Sequence, residues 1–226
     1  MTSDRSEKPP EARWEAEVVA GDAAELHAMD VPEKRFVRFH SLEHAAVVLG
    51  STQNASQVIA TDVDEHEVQI ASRRSGGGAV WLAPGEQIWV DVVIPRDDPL
   101  WIDDVSRAGL WLGNVWVQAL EAGSVWDGPV VGAHGSTFCF AGLAPGEVFL
   151  PTETGPVKIL GVSQRRTSKL ARFQCVAYLE WNPQRIQALM RGAHTNTDFD
   201  LDQHGQRATS AGEWELADAF MRALPS

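Results

Sequence analysis

Two short segments of this chain carry residue types and spacings suited to chemistry. The first reads Arg73-Arg74-Ser75-Gly76-Gly77-Gly78-Ala79-Val80-Trp81 and follows a β-prone run. Consecutive glycines cost roughly 0.5–1 kcal/mol each relative to alanine in regular structure, yet they permit positive φ and let a backbone approach a ligand closely. The two arginines ahead of them offer planar forks suited to a carboxylate or phosphate. The segment reads either as a tight turn or as a ligand-holding loop. It is not a phosphate-cradling P-loop, because no Gly-Lys-Ser/Thr follows. The second segment, 155–166, places Lys158 inside the apolar run Val157-Lys158-Ile159-Leu160-Gly161-Val162-Ser163. A buried lysine is expensive unless an anion pairs with it, and functional lysines often have this character. The other reading of Lys158 is a strand-edge residue with its head in solvent.

Other constellations carry less. His40 and His44 are four residues apart, but no third ligand can be assigned, so no metal site is expected. Asp198, Asp200 and Asp202 alternate like a calcium loop without the downstream Gly and Glu, and read as a solvated acidic loop. No Gly-x-Ser-x-Gly elbow occurs.

The elements that would position these residues follow from periodicity and breakers. Residues 1–13 are polar and contain Pro9-Pro10, which predicts a disordered leader. A short helix is predicted over 22–29, with Asp22 as N-cap. Strands are predicted over 35–39, 45–49, 67–70 and 88–94, the last ended by Pro95. Apolar residues spaced by three and four predict a helix between 103 and 122. Further strands are expected over 130–133, 137–140, 157–163 and 173–180. Pro183 then starts a helix running to about residue 190. Residues 192–212 are polar and read as a mobile loop, ahead of a final helix over 213–224. Strand runs with interleaved helices predict an α+β fold, with residues 14–226 as a single domain.

The bulk composition narrows the partners. The chain has 226 residues, 44% hydrophobic and 22% charged, with a formal net charge of −12. A surface that acidic repels phosphate backbones and anionic headgroups, so neither nucleic acid nor membrane is an expected partner. Nine tryptophans against one tyrosine imply rings buried in a core or lining a ligand cavity. Two cysteines are too few for a disulfide framework; with no signal-peptide pattern, a cytoplasmic location is expected.

The segments RRSGGGAVW and VKILGVSQRR, about eighty residues apart, resemble the lipoate–protein ligase and octanoyltransferase family, of the biotin/lipoate protein ligase superfamily. The resemblance spans about residues 20–190. It implies a mixed, mostly antiparallel sheet with flanking helices, an acyl tunnel and a glycine-rich loop over the ligand. Lys158 carries over as the lysine that contacts the acyl carbonyl or the activated intermediate. Arg73, Arg74, Ser75, Gly76, Gly77 and Gly78, with Gly161 and Ser163, carry over as substrate-binding positions. Several family positions differ: Leu82 stands where a His is common, Glu86 where an Asn is, Val162 where a small residue is expected, and Gln174-Cys175 where many members have His-Gly. These departures imply an altered pocket and acyl specificity.

The resemblance also implies the chemistry. The substrate is a lipoyl or octanoyl group, and the acceptor is a lysine of a lipoyl-domain protein. Some family members adenylate lipoate with ATP and Mg²⁺, and others pass octanoyl through a cysteine thioester from an acyl carrier protein. Cys139, between Phe138 and Phe140, resembles the nucleophile of one octanoyltransferase subgroup, and a nearby Lys158 would favour its thiolate. Such a cysteine also reads as a small buried hydrophobe; Cys175 is the weaker candidate. Only about 35 residues follow the Pro183 helix, too few for a further small domain, which leads to the expectation of a transferase without ATP or a ligase with a companion subunit. The alternative is a non-catalytic ligand-binding or partner subunit that kept the fold.

Overall fold

The computed structural model describes residues 13–59, 67–131, 138–190 and 212–226. Residues 1–12 of the expected leader, the acidic run 198–202 and almost all of the loop 192–212 lie outside the described residues, as do 132–137 of the strands expected over 130–133 and 137–140.

Two sheets and four helices make up the described chain. β1 (Glu15–Gly21), β2 (Phe36–Leu42), β6 (Gln87–Pro95), β10 (Leu170–Tyr178), β9 (Gly155–Arg166), β8 (Val148–Thr152) and β7 (Ser124–Val125) form a seven-stranded sheet in that spatial order. Every neighbouring pair in it is antiparallel except β1 with β2. A small sheet places β3 (Ala46–Leu49) between β4 (Gln69–Ser72) and β5 (Val80–Leu82). The helices are α1 (Ala23–Ala28), α2 (Leu110–Leu120), α3 (Pro183–Leu189) and α4 (Glu213–Ala223). The α+β expectation with a mostly antiparallel sheet therefore holds.

The central strand β6 explains how the layers assemble. Its residues alternate between the two faces of the sheet, as the period of a strand requires. Ile88, Val90, Val92 and Ile94 point to one side with Phe173, Cys175 and Ala177 of β10, and this face packs on α2 and α4. Trp116 of α2 meets Phe220 of α4 there, with ring centroids 4.5 Å apart. Trp89 faces the other way, where Val47, Val80 and Leu82 of the small sheet complete a second core. One sheet thus serves two apolar layers.

Some boundaries differ from the sequence expectations. Helix α2 begins at Leu110, because residues 103–109 form turns in which Asp104 accepts from the Ser106 backbone N–H at 2.9 Å. Residues 138–140 are not a strand. Cys139–Ala141 form a 3₁₀ turn, with Ala141 N donating to Phe138 O at 3.2 Å. β1 and β8 are not predicted: β1 is an exposed edge with no apolar period, and β8 is short and interrupted by Pro151.

The same β6 carries an aspartate at its centre. Asp91 is wholly buried, and such a charge persists only with partners. Arg172 Nε donates to Asp91 Oδ2 at 2.9 Å, and Gln174 Nε2 donates to Oδ1 at 3.1 Å. His40 Nε2 stands 2.9 Å from Oδ2. The Arg172 guanidinium also reaches Leu26 O at 3.3 Å and Met29 O at 3.0 Å, satisfying carbonyls at the end of α1. One ion pair thereby joins two neighbouring strands to α1. Removing its anion leaves a buried guanidinium unpaired, so Asp91→Ala is expected to lower unfolding free energy by about 3–5 kcal/mol in urea titrations. Glu17→Ala, which removes an exposed partner of Arg38, is expected to cost less than about 1 kcal/mol.

His27 of α1 borders this network. Burial drives its pKa down from 6.5 to about 3, against the pull of Asp91 and with help from His40, Arg172 and Arg73. The unfolded ring binds a proton near its ordinary value, so the unfolded state takes up more protons between those two pH values. Stability is therefore full above pH 6.5 and declines as pH falls toward 3, by up to about 1.4 kcal/mol per unit. Urea midpoints measured from neutral pH downward should show this slope in the wild type and a flatter one in His27→Phe.

Candidate active site

Three segments meet at one place: the glycine loop between β4 and β5, the turn at Cys139, and the first half of β9. Ser75 Oγ on the loop donates to Ser163 Oγ on β9 at 3.0 Å. Gly76, Gly77 and Gly78 line a cavity together with Cys139, Glu147 and Lys158. The triple-glycine segment and the lysine-bearing strand therefore share one site.

The glycines are needed by the contacts they make. Gly77 has φ +98°, a region that side chains rarely adopt. A Cβ at Gly78 would lie 2.5 Å from the carbonyl carbon of Phe138, and one at Gly50 would lie 1.9 Å from Gly77 O. Cys139 N donates to Ala79 O at 3.0 Å, fixing the turn against the loop. The segment is both a tight turn and a cavity wall. Arg73 corrects the sequence expectation in part: it lines the site, but its guanidinium is not a free fork. Its Nη2 donates to Gly76 O at 2.9 Å and Gly78 O at 2.8 Å, and its Nη1 donates to Val48 O at 3.3 Å, so it holds the loop in shape. Arg74 is the exposed one of the two.

Lys158 is 1% exposed, which removes the solvent-headed reading. Its ammonium lies 2.6 Å from Glu147 Oε1 and donates to Cys139 O at 3.1 Å and Gly142 O at 3.2 Å. It also sits over the Phe140 ring at 4.9 Å. Glu147 is equally enclosed and accepts from Ala144 N at 2.8 Å and Val162 N at 3.2 Å. Burial pushes its carboxyl pKa up, and the lysine and the two N–H groups pull only part of the way back. Sequence reasoning missed Glu147. The one available signal was that a lysine in an apolar strand requires an anion.

Beside this polar cavity runs a second, narrow apolar one between the two sheets. Val48, Val80 and Leu82 form one wall, and Trp89, Gly161 and Val176 the other. A Cβ at Gly161 would come 3.2 Å from the Phe140 ring, so its absence leaves room for that ring. Cys139, Val162 and Ser163 line both chambers and mark their junction. Cys139 is partly exposed there, with a free thiol. Leu82 adds apolar wall to the slot. Glu86 is turned away, accepting from Trp81 Nε1 at 2.9 Å and pairing with Arg185.

The remaining candidates fall elsewhere. Cys175 is buried on the helix-facing side, where its thiol pKa is driven up by burial. His40 and His44 do not converge: His40 stacks on Trp89 at 4.1 Å, while His44 pairs at the surface with Asp22 at 2.9 Å. Among the described residues, no helix is long and apolar enough to cross a membrane.

No curated protein sequence matches the chain. The fold is similar to that of a bipartite lipoate protein ligase from Thermoplasma acidophilum, solved in a study of an archaeal lipoylation system with its E2 lipoyl domain. The TM-score is 0.67 at 16% identity, covering 94% of this chain and 81% of that one. A putative lipoate protein ligase of the same organism with bound lipoic acid gives 0.63 at 17% identity, covering 94% and 83%. A lipoate-protein ligase A bound with ATP gives 0.64 at 17% identity over the same shares. The model of the lipoyl protein ligase A/B catalytic domain matches residues 20–210. With most of its length inside that match, the chain belongs to the lipoyl protein ligase A/B catalytic-domain family.

Proposed function

We propose that this protein is an enzyme that forms an amide between a lipoyl or octanoyl group and a lysine of a lipoyl-domain acceptor. The observation that carries this function is the buried ammonium of Lys158 beside the junction of an apolar slot and a polar cavity. The slot takes the hydrocarbon tail, and the acyl carbonyl rests at the junction near Cys139 and Ser163. There the carbonyl oxygen replaces one of the two backbone carbonyls that Lys158 holds, and the ammonium stabilises the oxyanion as it develops. Glu147 holds the Lys158 head group in place. The bound lipoic acid and the E2 lipoyl domain of the structural relatives support this choice of acyl group and acceptor.

Two routes deliver the acyl group, and the position of Cys139 at the junction favours a thioester. The Cys139 thiolate attacks the carbonyl of an acyl–carrier-protein thioester, forming acyl-Cys139 and releasing the carrier thiol. The acceptor amine then attacks that carbonyl, giving the amide and returning the thiol, which takes the amine's proton. In the ATP route, the acyl carboxylate attacks the α-phosphate, pyrophosphate leaves, and the amine displaces AMP at the same carbonyl. The ATP-bound relative keeps this route in play. No step is assigned to Mg²⁺: among the described residues, the one carboxylate on the cavity wall is Glu147, and both its oxygens are committed. A separate companion subunit would act in the ATP route.

Truncating Lys158 alone strands a buried carboxylate, so the informative variant is the double Lys158→Met/Glu147→Gln. It is expected to fold, by near-ultraviolet circular dichroism, and to lose about 10²–10³-fold in acceptor acylation. Unchanged turnover would remove Lys158 from the chemistry. If the wild type binds octanoate but acylates no acceptor with either donor, the chain is a binding subunit instead. The route is read by intact mass after mixing with octanoyl carrier protein. A hydroxylamine-labile octanoyl adduct is expected, absent in Cys139→Ser. Acylation that proceeds only with ATP, with no adduct, would replace the thioester by the adenylate.

A further inference from the structure

The polar cavity does not end at Lys158. Past Ala144, Val162 and Gln164 it runs into an open groove between the turns at 103–109 and the segment 127–130. Val105, 60% exposed, and Val130, 44% exposed, stand on opposite walls of that groove, and neither belongs to an apolar core. A single exposed valine needs no explanation. Two lining one groove beside a reaction site make a surface that a partner can cover.

The polar groups of the groove are largely committed to one another. Arg107 Nη1 lies 3.0 Å from Asp127 Oδ1, and Nη2 donates to Oδ2 at 3.1 Å, so one ion pair joins the two walls. Gln164, with its amide turned to accept from Arg166 Nε at 2.8 Å, donates to Val105 O at 3.3 Å. Asp104 Oδ1 accepts from the Ser106 N–H at 2.9 Å and hydroxyl at 2.6 Å, which leaves the carboxylate at the exposed surface. Two carboxylates against one guanidinium give the groove a net negative charge. The glycine-loop side of the cavity differs: Arg74 and Arg165 stand within two residues of the Ser75–Ser163 hydrogen bond. A phosphate-bearing donor is drawn to that side, and a protonated lysine to the groove. The outer wall is also tied to the reacting end, because Trp126 N donates to Glu147 O at 2.8 Å and Gly146 N to Trp126 O at 3.0 Å.

We propose that this groove is the docking surface for the acceptor protein, and that donor and acceptor approach the junction from different sides. The lysine-bearing turn of the acceptor lies between Val105 and Val130, and apolar residues beside the lysine cover the two valines. Asp104 draws the cationic side chain in, and the lysine passes Val162 to reach the acyl carbonyl. This inference rests on the reading of the protein as an acyl-transferring enzyme.

Steady-state acylation of an unmodified lipoyl domain by the full chain tests this surface, with formation of the acyl-enzyme or acyl-adenylate timed separately. Val105→Glu and Val130→Glu are each expected to raise the KM for the acceptor about tenfold, while the donor half-reaction keeps its wild-type rate. Asp104→Asn retains an acceptor oxygen for Ser106. It is expected to raise that KM about threefold at low ionic strength and to match the wild type at about 0.5 M salt. Should one valine variant fail to fold, the other, on the opposite wall, decides. If the valine variants leave the acceptor KM unchanged, the docking inference falls while the enzyme reading stands. If they slow the donor half-reaction instead, the groove belongs to the donor and the inference is overturned. If the wild type acylates no acceptor with either donor, both fall together.

Discussion

The pair formed by Lys158 and Glu147 is the interaction on which the site depends. Two opposite charges are held out of water 2.6 Å apart, an arrangement that rarely adds stability over well-packed apolar residues. The surroundings repay part of the desolvation: two backbone N–H groups reach the carboxylate, and two backbone carbonyls accept from the ammonium. Those carbonyls belong to the turn that carries Cys139 and to Gly142 just after it. The lysine thus orders the turn, the turn abuts the glycine loop, and the loop roofs the cavity. Losing the charge would loosen all three segments at once.

The large sheet separates two demands by using its two faces differently. One face is sealed by α2 and α4 and supplies cohesion through close apolar packing. The other looks toward the small sheet and leaves a slot where packing stops short. Cys175 and Gln174 are adjacent in sequence and show the division in miniature. The cysteine is sealed on the helix side, while the glutamine lines the slot and borders the buried network. A strand's two-residue period is enough to send one residue to the sealed core and the next to the slot.

Much of this was legible in the sequence, for identifiable reasons. The three glycines and Lys158 each break a local rule, either backbone entropy or the cost of a buried cation, and such breaks tend to mark function. The strand at 88–94 and the helix after Pro183 follow from apolar pattern and a breaker. Glu147 was not legible, because a glutamate after Pro145-Gly146 looks like any solvated turn residue until its partner is placed. Arg73 was legible as a cation of the site, but not as one committed to carbonyls of its own loop. The turn at Cys139 was misread as strand because Phe138 and Phe140 alternate like strand residues. β1 was missed because an edge strand with solvent on both faces needs no apolar alternation.

The slot has a floor. His27 and Gln174 back onto Asp91 and Arg172, which are 0% and 6% exposed, so among the described residues no second opening lies behind them. If the slot holds an acyl tail as proposed, traffic in it is first in, last out: the occupant arrives tail-foremost, with its reactive head left at the mouth. In the proposed reaction the head becomes tethered to a bulky acceptor, and the tail could then leave only by retracing its path. Departure then requires drawing out the whole hydrocarbon, so residence time should lengthen with each added methylene, and release rather than bond-making would set the pace for the longest chains.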